Sequence, residues 1–226
     1  MFGTDAPSPK HPERKSRVRE GNPLPVIFGI GRTEMNPLER KLIEECNPFG
    51  FILFKRNCQS PEQVRWLTKE LRHTLGRDDA PILIDQEGGR VSRLQPPHWP
   101  KLPPARAIGM LYEMDPTLGT EAMQLVSRII ANELIDLGIT VNCAPVVDLY
   151  FEDATIAIGD RAISRRPAIV AALARLFAEV SMENGVLPVI KHFPGHGRMK
   201  TDPHLMLPAV EASLAELESD DFVPFE

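Results

Sequence analysis

Residues 186–204 read VLPVIKHFPGHGRMKTDPH, and this stretch decides the fold. The run over 186–190 is apolar and rich in β-branched residues, the composition of a buried strand. It turns polar at once with Lys191 and His192, and Pro194, Gly195 and Gly197 then break any regular structure. The loop beyond delivers Asp202 and His204, one residue apart. A buried strand thus ends in a cation and an imidazole, and the loop after it carries a carboxylate and a second imidazole. In parallel α/β folds, ligands and chemistry gather at the carboxyl ends of the strands.

Working outward from that stretch, strands and helices alternate. Strands are expected at 26–30, 50–54 (GFILF), 81–84 (PILI), 139–141 and 186–190. Asn36-Pro37-Leu38-Glu39 and Ser60-Pro61-Glu62-Gln63 each join an N-cap to Pro at the first helical position, so a helix should follow both. Asp115-Pro116 opens a helix ending near Gly138, and Pro167 opens one ending at Asn184-Gly185. Ser213-Leu214-Ala215-Glu216 is a capping box for a last short helix. A Pro-rich segment, 95–104, is read as crossing the surface. Such alternation predicts a parallel sheet flanked by helices, and the apolar strands two, three and five suit a sheet buried on both faces. A closed eight-stranded barrel takes roughly 250 residues. The five strands legible here give an open sheet instead.

Composition narrows the function. A 42% hydrophobic content supports a substantial core, and a net charge of −5 gives no footprint for nucleic acid. No apolar run approaches the roughly 18 residues of a membrane helix, and the N-terminus has no apolar signal region. Residues 1–22 are rich in Pro and charge and read as a disordered tail. Cys46, Cys58 and Cys143 are odd in number and lack metal-site spacing, which points to reduced thiols and a cytoplasmic setting.

Each strand end carries polar groups that are costly to bury. Strand two ends in Lys55-Arg56-Asn57, and strand three in Asp85-Gln86-Glu87-Gly88-Gly89-Arg90 with Arg93 soon after. Asp148 and Gly159-Asp160-Arg161 follow strand four, and Lys191 and His192 follow strand five. A lone Asp at a strand end, as at 148, more often caps a helix than meets a ligand. Three of the chain's six His fall within 192–204, which is poor loop filler and marks a site. A mixture of Asp, Arg, Lys and His suits a neutral, hydroxyl-rich ligand that needs donors and acceptors in fixed orientation.

These residues resemble family 3 glycoside hydrolases, specifically the bacterial β-N-acetylglucosaminidases of peptidoglycan recycling. The matching pieces are GFILFKRN (50–57), DQEGGRV (85–91) with Arg93, NCAPVVD (142–148), GDR (159–161), KHFPGHG (191–197) and DPH (202–204). They occur in the family's order. The resemblance implies a (β/α)₈ TIM barrel of the α/β class, present here as about the first five β/α units over 23–226, an open and incomplete barrel. It implies hydrolysis of terminal non-reducing β-linked N-acetylglucosamine by a retaining mechanism. Asp85, Arg93, Arg161, Lys191 and His192 would hold the sugar. His204 would be the general acid/base and Asp202 its orienting partner. Pro203 stands where the family usually has Ser, and proline restricts both its own φ and the residue before it. The family's nucleophilic Asp lies on a later strand, so these 226 residues alone are not expected to complete a double displacement. No cofactor or metal is implied, the partner is a muropeptide-type carbohydrate, and the complete enzyme is expected to be a monomer. A metal-dependent hydrolase using His192, His196, Asp202 and His204, whose side-chain types suit Zn²⁺, and a non-catalytic sugar-binding module are the alternatives.

Overall fold

The computed structural model describes residues 22–154, 157–200 and 209–226. The readings for the N-terminal tail and for Asp202, Pro203 and His204 lie outside these residues. The elements run in the order β1 (Leu24–Gly29), α1 (Pro37–Cys46), β2 (Pro48–Leu53), α2 (Pro61–Leu75), β3 (Ile82–Ile84), β4 (Gln86–Gly88), β5 (Val91–Ser92), α3 (Ala105–Met114), α4 (Pro116–Asp136), β6 (Val141–Asn142), α5 (Pro167–Glu183), β7 (Leu187–Pro188) and α6 (Leu214–Glu216). The main sheet is parallel, in the order β1-β2-β3-β6-β7, and does not close.

The helix starts follow from local chemistry. Asn36 Oδ1 accepts from the backbone N–H of Leu38 and Glu39, both at 2.9 Å, while Glu39 accepts from Asn36 N–H at 2.9 Å. These bonds satisfy donors that a helix cannot pair internally. Ser60 and Asp115 cap α2 and α4 in the same way. Between the helices and the sheet lies the core: Phe51, Leu53, Ile82 and Ile84 from the strands, with Leu67, Leu71, Ile130 and Leu134 from the helices, are all fully buried. The outer strands differ. Leu24, Val26 and Ile27 of β1 and Leu187 of β7 are exposed, because each lies at a sheet edge.

Two elements depart from the sequence reading. The segment after β3 is an antiparallel hairpin, β4 with β5, whose turn uses Gly88 and Gly89 at φ +94° and +56°. After the Pro-rich segment the chain forms α3, which the pattern of prolines concealed. Strands four and five are also shorter than expected, contributing two residues each to the ladder as β6 and β7.

Asn142 fixes the hairpin to the sheet. Its buried side chain accepts from Gln86 N–H at 3.0 Å and donates to Gln86 C=O at 3.0 Å. Gln86, buried in turn, accepts from Arg93 N–H at 2.9 Å and Leu94 N–H at 3.1 Å. With residue 86 turned inward, its neighbours Asp85 and Glu87 point to the opposite side, since side chains alternate along an extended chain.

Two stability predictions follow from these contacts. Asn142→Ala leaves both backbone groups of Gln86 without their partner, so chemical denaturation should show a loss of about 1–3 kcal/mol; a change near zero would mean that the hairpin is held elsewhere. On α4, half-buried Glu133 has its carboxyl pushed up by burial from the ordinary 4.5 to about 6, and its Oε2 has no hydrogen-bond partner among the described residues. A raised native value favours folding fully below pH 4.5, and that contribution fades as pH rises through about 6. Glu133→Gln should therefore raise the melting temperature at pH 7.5 and flatten the pH dependence between those values. A lower melting temperature at pH 7.5 would refute the assignment.

Candidate active site

The ends of β3, β6 and β7 meet at one end of the sheet. Lys191 continues β7 through a parallel bridge to Val146, and Val147 N–H donates to Lys191 C=O at 2.8 Å. This places the Lys191 ammonium opposite the two carboxylates beyond β3: Nζ lies 2.8 Å from Asp85 Oδ1 and 2.6 Å from Glu87 Oε1. Asp85 Oδ2 also accepts from Arg93 at 2.9 Å. Burial alone would push the Asp85 carboxyl up, but Lys191 and Arg93 outweigh it and hold it below the usual carboxylate range.

Arg161 arrives on a 3₁₀ turn (Gly159–Arg161) in the connection between β6 and α5. Its guanidinium grips Glu87 in a two-pronged pair, with Nε to Oε2 and Nη2 to Oε1 both at 2.8 Å. Arg90 anchors the same turn, donating to Asp160 at 2.9 Å and to the carbonyls of Ala157 and Ile158. The hairpin and the turn are thereby locked to each other.

His192 is held from behind by Asp148. Its Nδ1 lies 2.6 Å from Asp148 Oδ2, and the backbone N–H groups of His192 and His196 donate to Asp148 Oδ1 at 3.2 and 2.7 Å. Burial raises the Asp148 carboxyl, yet the imidazole and these N–H groups overcome it and leave it below its ordinary value. An ionised carboxylate only accepts, so Nδ1 carries the ring proton. On the other side Arg161 Nη2, which only donates, lies 3.4 Å from Nε2. Nδ1 is thus the ring nitrogen turned toward Asp148, and Nε2 the one turned toward Arg161. Asp148 caps no helix, contrary to the commoner role of such an Asp.

The turn after His192 is braced from two directions. The His196 ring stacks parallel on His192 with centroids 4.7 Å apart, and burial with the neighbouring His192 lowers the tendency of His196 to protonate. Gly197 lies so close to Leu149 that a Cβ would sit 2.1 Å from its carbonyl oxygen, which excludes any larger residue there. Arg198 pairs with Asp221 at 2.6 Å and Asp220 at 2.9 Å, and Phe193 packs against Phe222 and Phe225. The C-terminal segment thus clamps the turn.

Asp85, Arg93, Arg161, Lys191 and His192 all come together here, as their positions in the sequence led one to expect. Reading the sequence missed the ion-pairing role of Glu87 and the histidine-holding role of Asp148. Asp202 and His204 lie outside the described residues. Among the described residues no group of three or more His, Cys, Asp or Glu side chains is placed to hold a metal ion, and no helix is long and apolar enough to cross a membrane.

Comparison with known proteins agrees with this geometry. Residues 21–226 match the family model described as the glycosyl hydrolase family 3 N terminal domain. A beta-hexosaminidase of Alkalilimnicola ehrlichii is 39% identical over 203 residues, covering 89% of this chain and 57% of that protein. A beta-hexosaminidase of Chromobacterium violaceum is 36% identical over 201 residues, covering 89% and 56%. The chain thus spans a little over half the length of these curated relatives. Native NagZ from Neisseria gonorrhoeae superposes with a TM-score of 0.84 at 35% identity, over 90% of this chain and 59% of that one. The same protein in complex with N-trifluoroacetyl-D-glucosamine gives the same values. By its sequence match and its fold, the chain belongs to glycosyl hydrolase family 3, within the family's N-terminal domain.

Proposed function

We propose that this chain forms the sugar-holding part of a retaining β-N-acetylglucosaminidase acting on terminal, non-reducing N-acetylglucosamine, with cytoplasmic muropeptides of peptidoglycan turnover as the substrate class. The observation that carries this reading is the convergence of Asp85, Arg93, Arg161, Lys191 and His192 at the carboxyl end of a parallel sheet, in a chain of this family. The three carboxylates of Asp85, Glu87 and Asp148 match in number the three cations of Arg93, Lys191 and Arg161. A charge-balanced rim favours a neutral sugar over a uronic acid or a free amino sugar. Two of the three Lys191 ammonium protons go to Asp85 and Glu87, which leaves the third for a hydroxyl. That the related gonococcal protein was solved with an N-acylated glucosamine supports the same sugar class.

In the proposed mechanism these groups fix the sugar, His204 protonates the leaving oxygen and then deprotonates water, and Asp202 orients its ring. An imidazole titrates near neutrality and can serve both steps. The test is turnover of a chromogenic N-acetyl-β-glucosaminide by the longest polypeptide that contains residues 1–226, with the matching β-glucoside as control. Selective cleavage that survives a chelator supports the reading. Equal cleavage of both substrates, or loss of activity with chelator, overturns it.

Two substitutions test the roles. Asp85→Ala should weaken N-acetylglucosamine binding by roughly 1–3 kcal/mol, the scale of a lost charged hydrogen bond. A sharp fall in melting temperature with unchanged affinity would instead make Asp85 structural. His204→Ala should lower turnover by about 10²–10⁴-fold on substrates with poor leaving groups and by less on activated aryl glycosides, which need little protonation. Equal losses on both would refute the acid/base role.

A further inference from the structure

The polar side chains of the site form one continuous chain of alternating partners. It runs Arg93, Asp85, Lys191, Glu87, Arg161, His192, Asp148. Its members differ in what a ligand can reach. The side chains of Arg93 and His192 are 27% and 26% exposed, and those of Asp85, Lys191 and Arg161 are about half as exposed. Glu87, at the centre, is 5% exposed, and both of its oxygens are already occupied by Arg161 and Lys191.

We propose that Glu87 is a positioning residue: it does not touch the sugar but holds the Lys191 ammonium and the Arg161 guanidinium at their separation and orientation. This rests on the sugar-binding reading above. Two cations so close together would repel each other without a carboxylate between them. The two-pronged pair also fixes the plane of Arg161, which a single point charge would not do. Because Arg161 Nη2 faces His192 Nε2, a loss of that plane is passed on to His192. The role needs Glu at this position in particular. Asp, one methylene shorter, cannot reach both cations, and Gln presents an N–H to one of them.

The experiment uses Glu87→Gln and Glu87→Asp in the same polypeptide. Titration calorimetry measures affinity for N-acetylglucosamine, ¹⁵N NMR follows the Arg161 Nε–H, and thermal melting monitors folding. Glu87→Gln should weaken sugar affinity by about tenfold or more and speed solvent exchange of the Arg161 Nε–H, in a protein that still melts cooperatively though at a lower temperature. Glu87→Asp, which keeps the charge, should recover part of both. Unchanged affinity and an unchanged Arg161 resonance in Glu87→Gln overturn the proposal while leaving the functional reading intact. So does an affinity loss that accompanies loss of cooperative melting in both variants, since Glu87 would then be a structural residue. If the unsubstituted protein does not bind N-acetylglucosamine, the functional reading falls, and the sugar-positioning role of Glu87 falls with it.

Discussion

The site depends on a single ammonium placed between two carboxylates. Asp85 and Glu87 lie two residues apart on an extended segment, so their side chains project from the same side. Both are well shielded from water, and together they would repel each other strongly. Lys191, brought in on the next-but-one strand of the sheet, meets both at hydrogen-bond distance. Arg93 and Arg161 complete the neutralisation from the two flanks. Without Lys191, the neighbouring carboxylates of Asp85 and Glu87 would repel each other with only the flanking arginines to offset them.

Much of the structural support for this arrangement lies behind it. Asn142 and Gln86 are uncharged, buried and fully engaged, and they decide which way Asp85 and Glu87 face. Asp148 does the same for His192 from the far side. The partly exposed polar groups at the sheet end are thus held by a layer of buried ones behind them. Buried polar networks are costly unless every member is satisfied, and satisfied ones hold a single geometry.

The architecture was legible where a strand is long and apolar or a helix carries a strong cap. GFILF and PILI stood out as strands, and Asn36, Ser60, Asp115 and Ser213 as helix starts, each confirmed by a side-chain bond to backbone N–H. The hairpin did not, because three residues paired with two give no periodic signal. Helix α3 was hidden by the prolines before it, although Pro104 is a tolerable residue at its start. The five residues that converge at the sheet end, Asp85, Arg93, Arg161, Lys191 and His192, were picked out by their motifs. Glu87 and Asp148 were not, because buried carboxylates run against the usual rule that charge lies outside. A signal for Glu87 existed in the alternation Asp-Gln-Glu, which puts two acids on one side of an extended chain.

The Lys191–Asp85 bond joins residues 106 positions apart. On a ribosome adding about 5–20 residues per second, Asp85 and Glu87 emerge roughly 5–20 s before the ammonium that bridges them. During that interval the first three strands can pair and bury Phe51 and Ile84, since their contacts are local, but the polar mouth cannot close. The clamp from Asp221 and Phe222 onto Arg198 and Phe193 comes later still. The order of synthesis therefore delivers the two carboxylates before the ammonium that bridges them, with Arg93 beside Asp85 and later Arg161 beside Glu87 in the meantime.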